Sequence, residues 1–176
     1  MNSDIGANAL ERAKSPESLG IDSRAVLGFI DDCETNHIEI HSFMLLRHGR
    51  VAAEAWWNPY APEIPHTMFS FSKSVAGTAI GFAVDEGLVS LDTKIYDLFP
   101  EFAPAIKRKW SDELTLEHLL TMRSGKTNGF MLNTEKPGWE KSYLGTRFKF
   151  KPGEKFEYNS ENSFMLAAVI KKLTGQ

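Results

Sequence analysis

The sequence predicts an α+β fold, and two patterns support this prediction. Alternating apolar residues on either side of His48-Gly49 predict a β-hairpin over 41–57. Apolar residues at helical spacing predict a helix before the hairpin, which begins at Asp22-Ser23 because both residues are good N-caps, and which runs to about Glu34. The hairpin therefore follows a helix in the chain, and further helices follow the hairpin.

Three later segments have helical patterns. The segment 71–87 is so rich in Ala, Gly, Val, Ile and Phe that it predicts a helix buried nearly all round, ended by a left-handed cap at Gly87. The segments 114–125 and 163–175 predict two amphipathic helices. Scattered Gly and Pro between 126 and 153 predict loops with one short helix.

Length and composition limit the class of protein. The 176 residues, 42% of them hydrophobic, are enough for one domain, and we expect a polar leader over 1–18 and the domain over 19–176. The 20 basic and 23 acidic residues give a net charge of −3 without a basic cluster, so we expect no nucleic-acid partner.

The sequence contains neither an apolar run of membrane-spanning length nor a secretory signal, so we expect no membrane partner. Cys33 is the lone cysteine and cannot form an internal disulfide, which fits a reducing compartment and equally fits an exported protein whose signal has been removed; we expect a cytoplasmic location. Its place in an amphipathic segment predicts a buried structural thiol.

Ser70 and Lys73 lie three residues apart at the start of the apolar helix. This spacing places a hydroxyl and an amine on one helix face, where a desolvated lysine can accept the serine proton. With 14 serines and 13 lysines in the chain, about one such pair is expected by chance. The spacing alone therefore leaves two interpretations: a nucleophile with its base, or a helix cap beside a lysine that extends to solvent.

Three segments, in this order, resemble serine β-lactamases, penicillin-binding proteins and related esterases. HTMFSFSKSVAGTAIGFAVDEGLVSLD resembles the nucleophile helix with its Ser-x-x-Lys motif, and LTLEHLLTMRSG resembles the segment that precedes the family's tyrosine. KPGEKFEYNSENSFMLAAVIKKLTG resembles the tyrosine motif and its helix. The resemblance covers nearly all of the chain from Ser15.

The resemblance implies a β-lactamase/transpeptidase-like fold, in which a five-stranded antiparallel sheet joins a helical domain. This chain would supply the N-terminal helix, the hairpin, the nucleophile helix and most of the helical domain. The resemblance also implies a serine hydrolase that forms an acyl-enzyme on a small ester or amide, with Ser70 as nucleophile, Lys73 as base and Tyr158 as proton relay. The alternative is a non-catalytic, penicillin-binding-like sensor or binding module.

Two departures from the family pattern matter. Tyr158-Asn159-Ser160 has serine where class C β-lactamases usually have asparagine, a variant that resembles esterases and amide hydrolases, so we expect Ser160 to contact substrate. The family's third motif, Lys-Thr-Gly or His-x-Gly, does not follow; 126–128 imitates it but precedes the tyrosine motif. We therefore expect an N-terminal portion that self-associates or requires a C-terminal remainder.

We expect neither a metal nor an organic cofactor. His37, Glu39 and His41 alternate along an extended segment but lack the spacing of a zinc motif. The residues 124–127 resemble the end of a phosphate-binding loop, but Leu120 stands where its first glycine is required and a helix precedes it.

Overall fold

The computed structural model describes residues 10–102, 106–128 and 138–175. The chain divides into two compact units, Met1–Thr67 and Met68–Gln176. Part of the predicted leader, 1–9, and part of the predicted loop region, 129–137, lie outside the described residues.

The first unit contains the predicted helix and hairpin. Helix α1 (Ser23–Thr35) begins at Asp22, whose carboxylate accepts a hydrogen bond from the Arg24 amide at 2.9 Å. Strands β2 (Ser42–Arg47) and β3 (Arg50–Trp56) pair antiparallel across His48 and Gly49, with φ angles of 51° and 74°. Two consecutive left-handed residues fit the twist of a tight hairpin, so the predicted hairpin is confirmed.

A third strand, β1 (Glu11–Arg12), pairs parallel with β3 and gives the sheet order β1-β3-β2. It lies within the residues that the sequence predicts as a polar leader, and Arg12 forms an ion pair with Glu54 of β3. Two residues are too few to show the alternation by which a strand is recognised in sequence.

The second unit contains five α-helices that lie wholly within the described residues, of which α2, α4 and α5 each pack against α6. Leucines, isoleucines and tyrosines from several of these helices form one buried core. The helices are α2 (Ser72–Asp85), α3 (Ile95–Leu98), α4 (Leu116–Leu120), α5 (Trp139–Gly145) and α6 (Ser160–Thr174). The mixture of sheet and helices confirms the predicted α+β class.

Helix α2 is less buried than its composition predicts. Ile80 and Ala83 face the core, but Val75 and Phe82 are 59% and 66% exposed. The prediction of burial nearly all round is therefore wrong for the described structure, because α2 packs by one face and no described element of the second unit covers its opposite face. A left-handed Gly87, with φ of 71°, follows the end of α2 as predicted.

Cys33 is buried, as expected for a structural thiol. In the part of the chain that the structure describes, no helix combines the length and the apolar character that crossing a membrane requires.

Candidate functional site

Ser70, Lys73 and Tyr158 meet in one chain of hydrogen bonds. Lys73 Nζ lies 3.0 Å from Ser70 Oγ, and Ser70 Oγ lies 2.9 Å from the Tyr158 hydroxyl. Lys73 Nζ is also 5.2 Å from the centre of the Tyr158 ring. The Ser70 hydroxyl therefore contacts two groups that can exchange a proton with it, although 88 positions separate Ser70 and Tyr158.

Ser70 lies in a short 3₁₀ turn, Phe69–Phe71, which leads into α2. Phe69 has a φ of 43°, a left-handed conformation that is unusual for a bulky side chain. Such a conformation costs about 1–3 kcal/mol and tends to occur at functional sites. The turn places Ser70 at the N-terminal end of α2, where the helix dipole favours negative charge on a reacting group.

Tyr158 is more acidic than an ordinary tyrosine. Hydrogen bonds from Ser70 and then Lys73 lower its pKa to about 8, and the Ser160 side chain contributes in the same direction. About half of the Tyr158 side chain is exposed. A phenol with this pKa gains and loses its proton near neutral pH, which is the requirement for general acid–base work.

Ser160 is the first residue of α6, and Asn159 caps that helix by accepting a hydrogen bond from the Glu161 amide at 2.9 Å. The cap fixes the direction in which the chain leaves Tyr158 and enters α6. Ser160 is exposed, and a hydrogen bond from its side chain helps to lower the pKa of the Tyr158 hydroxyl. The predicted substrate contact of Ser160 stays a prediction.

The segment 124–128 lies beside Tyr158 and is joined by hydrogen bonds to Tyr158 and to the next residue, Asn159. Asn128 Nδ2 donates to the Tyr158 carbonyl at 3.4 Å, and Asn159 Nδ2 donates to the Lys126 carbonyl at 3.5 Å. In the sequence, 126–128 imitates the family's third motif and 124–127 the end of a phosphate-binding loop, and neither likeness predicts a contact with Tyr158. The Ser124-Gly125 pair, which ends the segment that resembles the family before its tyrosine, is the sequence feature closest to this contact.

Lys126 is 1% exposed, and its ammonium group is fully bonded. Its Nζ donates to the Tyr96 hydroxyl at 2.8 Å and to the carbonyls of Leu144 and Thr146 at 2.9 Å each. Three acceptor oxygens match the three donors of an ammonium group. Burial, and next the charge of Arg108, lower the pKa of Lys126 to about 7.

The depressed pKa of Lys126 predicts that stability rises with pH. In the unfolded chain the amine has its ordinary pKa of 10.5, so from pH 7 to 10.5 the unfolded state binds a proton that the folded state lacks. We expect the free energy of unfolding, measured by urea denaturation, to increase by about 2–3 kcal/mol over roughly two pH units above 7.

The lowered pKa of Tyr158 acts in the same direction above pH 8, so a variant must separate the two groups. Lys126→Met should lose most of the increase between pH 7 and 8, whereas Tyr158→Phe should retain it. An unchanged pH slope in Lys126→Met would show that the buried amine stays protonated throughout.

The other candidate ligands do not assemble as a metal site. His41 lies 3.2 Å from Glu39 and 2.7 Å from His66, between their nearest side-chain atoms. Among residues 10–102, 106–128 and 138–175, no group of three or more His, Cys, Asp or Glu side chains could hold a metal ion.

Trp57 lines a cavity of about 310 Å³ in the first unit, together with Cys33 and Tyr60.

Comparison with known proteins gives relatives in sequence and in structure. The chain is 25% identical over 149 residues to a 6-aminohexanoate-dimer hydrolase from Paenarthrobacter ureafaciens, a match that covers 76% of this chain and 38% of that protein. It superposes on a penicillin-binding protein homologue from Caulobacter crescentus with a TM-score of 0.66 and 21% identity, over 87% of this chain and 44% of the other.

A family VIII carboxylesterase gives a TM-score of 0.62 at 23% identity, over 86% of this chain and 44% of the other. The chain thus spans less than half the length of these relatives. The structural matches confirm the predicted β-lactamase/transpeptidase-like fold. The model of the Beta-lactamase family matches residues 31–176, which is most of the sequence, and the chain therefore belongs to the Beta-lactamase family.

Proposed function

We infer that the protein is a serine hydrolase that cleaves a small ester or amide through a covalent acyl-enzyme on Ser70. The observation that supports this proposal is the contact of the Ser70 hydroxyl with both Lys73, at 3.0 Å, and Tyr158, at 2.9 Å. A serine is a weak nucleophile until a neighbouring base takes its proton, and here two candidate bases contact the same oxygen.

The proposed reaction has two steps. Ser70 Oγ attacks the substrate carbonyl while Lys73 and the Tyr158 phenolate take up its proton, and the leaving alcohol or amine departs with a proton returned by the same pair. Water then attacks the acyl-serine, the same pair removes a proton from that water, and the acid product leaves with Ser70 restored. Neither step requires a metal or an organic cofactor.

The relatives support hydrolysis as the reaction and a carbonyl compound as the substrate. One is named a hydrolase of the 6-aminohexanoate dimer and another a carboxylesterase. Serine in place of asparagine at position 160 favours an ester or a linear amide over a β-lactam. The cytoplasmic location also stays a prediction from the sequence.

The proposal is tested by labelling the protein, expressed from its complete reading frame, with a fluorophosphonate. This reagent phosphonylates activated serines. Peptide mapping by mass spectrometry should place the adduct on Ser70 rather than on Ser72 or Ser74. An adduct on either of those serines, or no adduct at all, would contradict the proposal.

The pH dependence of labelling should report the proton held by Tyr158. Because the pKa of Tyr158 is about 8, the labelling rate should be low below pH 8, rise through it and level off above it. Tyr158→Phe should move the midpoint away from 8; an identical profile in that variant would remove Tyr158 from the proton transfer.

Lys73→Arg should lower the labelling rate by about 10² to 10⁴. A base must be neutral before it accepts a proton, and a guanidinium group stays charged in proteins. The unfolding midpoint should change little, because arginine is as good a helix former as lysine. Near-normal labelling of this variant would show that the Tyr158 phenolate is the base.

Serine at position 160 is also compatible with a second function, that of a sensor which forms a stable acyl adduct without turnover. Mass spectrometry of the intact protein after a short exposure to a β-lactam or an activated ester separates the two functions. A transient adduct identifies a hydrolase, whereas an adduct that persists for hours identifies a sensor.

A further inference from the structure

A second candidate site lies in the same unit as Ser70 but is built from other residues. It is an open cleft of about 400 Å³, a volume within the range of small-molecule sites. Two tripeptides line it, Arg108-Lys109-Trp110 before a 3₁₀ turn and Arg147-Phe148-Lys149 after α5. Each tripeptide supplies two cations and one aromatic ring.

Most of the positive charge in the cleft is unneutralised. Lys149 forms an ion pair with Glu157 at 2.6 Å. For Arg108, Lys109 and Arg147, no carboxylate of the described residues lies within ion-pair distance. Three cations around one concave surface attract an anion, and two of them are guanidinium groups suited to bidentate contact with an oxyanion.

The acidic residues beside the cleft are already engaged. Asp112 pairs with Lys107 at 2.6 Å, and Glu113 pairs with Lys151 at 2.7 Å. Together with Glu157 they place carboxylates around the cleft. A long polyanion that extended beyond the cleft would approach these carboxylates, so the charge pattern favours a small anion over a nucleic-acid strand.

The aromatic rings give the cleft an apolar surface. Trp110 is half-buried and meets the edge of Phe148, with 6.3 Å between the ring centres. Lys109 Nζ lies 4.3 Å from the centre of the Trp110 ring. The backbone at Trp110 is left-handed, with a φ of 69°, a conformation that glycine adopts without strain and a bulky residue does not.

The strain at Trp110 costs about 1–3 kcal/mol. Because glycine or asparagine would form the same turn at lower cost, the turn itself does not explain the indole. An indole beside unpaired guanidinium groups provides a stacking surface for a planar ring.

We propose that this cleft binds a small organic anion with a flat ring and at least two negative charges, the chemistry of a nucleoside phosphate. The anionic group contacts Arg108 and Arg147, and the ring packs against Trp110. Arg108 and Arg147 come from different tripeptides, so one ligand holds both loops. This site is independent of the hydrolase proposal, and its occupation requires no reaction at Ser70.

Isothermal titration calorimetry with ATP at low ionic strength tests the proposal. Adenosine supplies the ring without the charge, and inorganic tripolyphosphate supplies the charge without the ring. ATP should bind at least tenfold more tightly than either. Equal binding of ATP and tripolyphosphate would reduce the cleft to a general anion surface and overturn the proposal, as would an absence of ATP binding.

Two charge-removing variants provide a matched pair. Arg147→Gln should weaken ATP binding by roughly tenfold or more, because it removes a charged hydrogen-bond donor from the cleft. Lys171→Gln removes an exposed cation of α6 that forms no ion pair among the described residues and does not line the cleft, and it should bind ATP as the parent protein does.

Equal losses in both variants would show that net charge alone governs binding, and would overturn the proposal. Tighter binding of an oligothymidylate than of ATP would assign the cleft to a nucleic-acid strand instead. Trp110→Asn should also lose the preference for ATP over tripolyphosphate, because asparagine keeps the left-handed turn but not the ring. Circular dichroism confirms that each variant is folded.

Discussion

Ser70→Ala is expected to abolish fluorophosphonate labelling and hydrolysis. The substitution removes the oxygen that lies within 3.0 Å of Lys73 and 2.9 Å of Tyr158. The side chain is exposed, so the variant should keep its fold and its unfolding midpoint. Gel-based labelling, followed by an assay with an aryl ester, measures both losses in one preparation.

The neighbouring serines supply the controls for Ser70→Ala. Ser72 and Ser74 belong to α2, and among the described residues neither side-chain oxygen forms a hydrogen bond with Lys73 or Tyr158. Ser72→Ala and Ser74→Ala should therefore label at close to the parent rate. Labelling that survives in Ser70→Ala and disappears in Ser72→Ala would identify Ser72, and not Ser70, as the nucleophile.

Gly125→Ala is expected to destabilise the second unit by about 3–4 kcal/mol. A β-carbon at this position would lie 2.2 Å from the carbonyl oxygen of Phe150, and the backbone has a φ of 71°. The neighbouring backbone cannot move freely, because the Lys149 amide donates to the Gly125 carbonyl at 2.8 Å. Urea denaturation measures the loss of stability.

Gly87→Ala separates the steric clash at Gly125 from the backbone strain. Gly87 belongs to the same unit and has the same φ of 71°, but nothing lies within 4 Å of its added β-carbon. This control should lose only about 1–2 kcal/mol, the usual cost of a left-handed alanine. Equal losses at Gly87 and Gly125 would show that the Phe150 carbonyl moves aside.

Gly125→Ala should also slow labelling at Ser70. The segment 124–128 reaches Tyr158 through Asn128, so displacement of Gly125 alters the position of the tyrosine. A variant that is destabilised but labels at the parent rate would show that the segment stabilises the fold without positioning Tyr158.

Local patterns predict the parts of the fold that local chemistry determines. The hairpin follows from alternation and a turn dipeptide, and α1 follows from its N-cap and apolar spacing. The contact of Ser70 with Lys73 follows from their three-residue spacing across the 3₁₀ turn and the start of α2. The spacing in the sequence does not predict that Tyr158 approaches Ser70; only the resemblance to a family predicts this contact.

Sequence patterns fail where burial depends on distant residues. The sequence pattern predicts that Lys126 is an exposed charged residue in a loop. Its burial depends on hydrogen bonds with Tyr96, Leu144 and Thr146, which are distant in the sequence. The segment 114–125 predicts a helix as far as Gly125, but α4 ends at Leu120, because the chain becomes left-handed at Met122, with a φ of 55°.

Ser70 and Tyr158 lie at the N-terminal ends of α2 and α6, and these two helices pack against each other. Ile80 of α2 and Val169 of α6 belong to the shared core and lie about ten residues, or roughly 15 Å, along their helices from Ser70 and Tyr158. Apolar packing well away from the two hydroxyls therefore contributes to the distance between them, together with the contacts of segment 124–128. For the proposed hydrolase, exchange of one aliphatic side chain in this core would change the reaction rate while Ser70, Lys73 and Tyr158 stay unchanged.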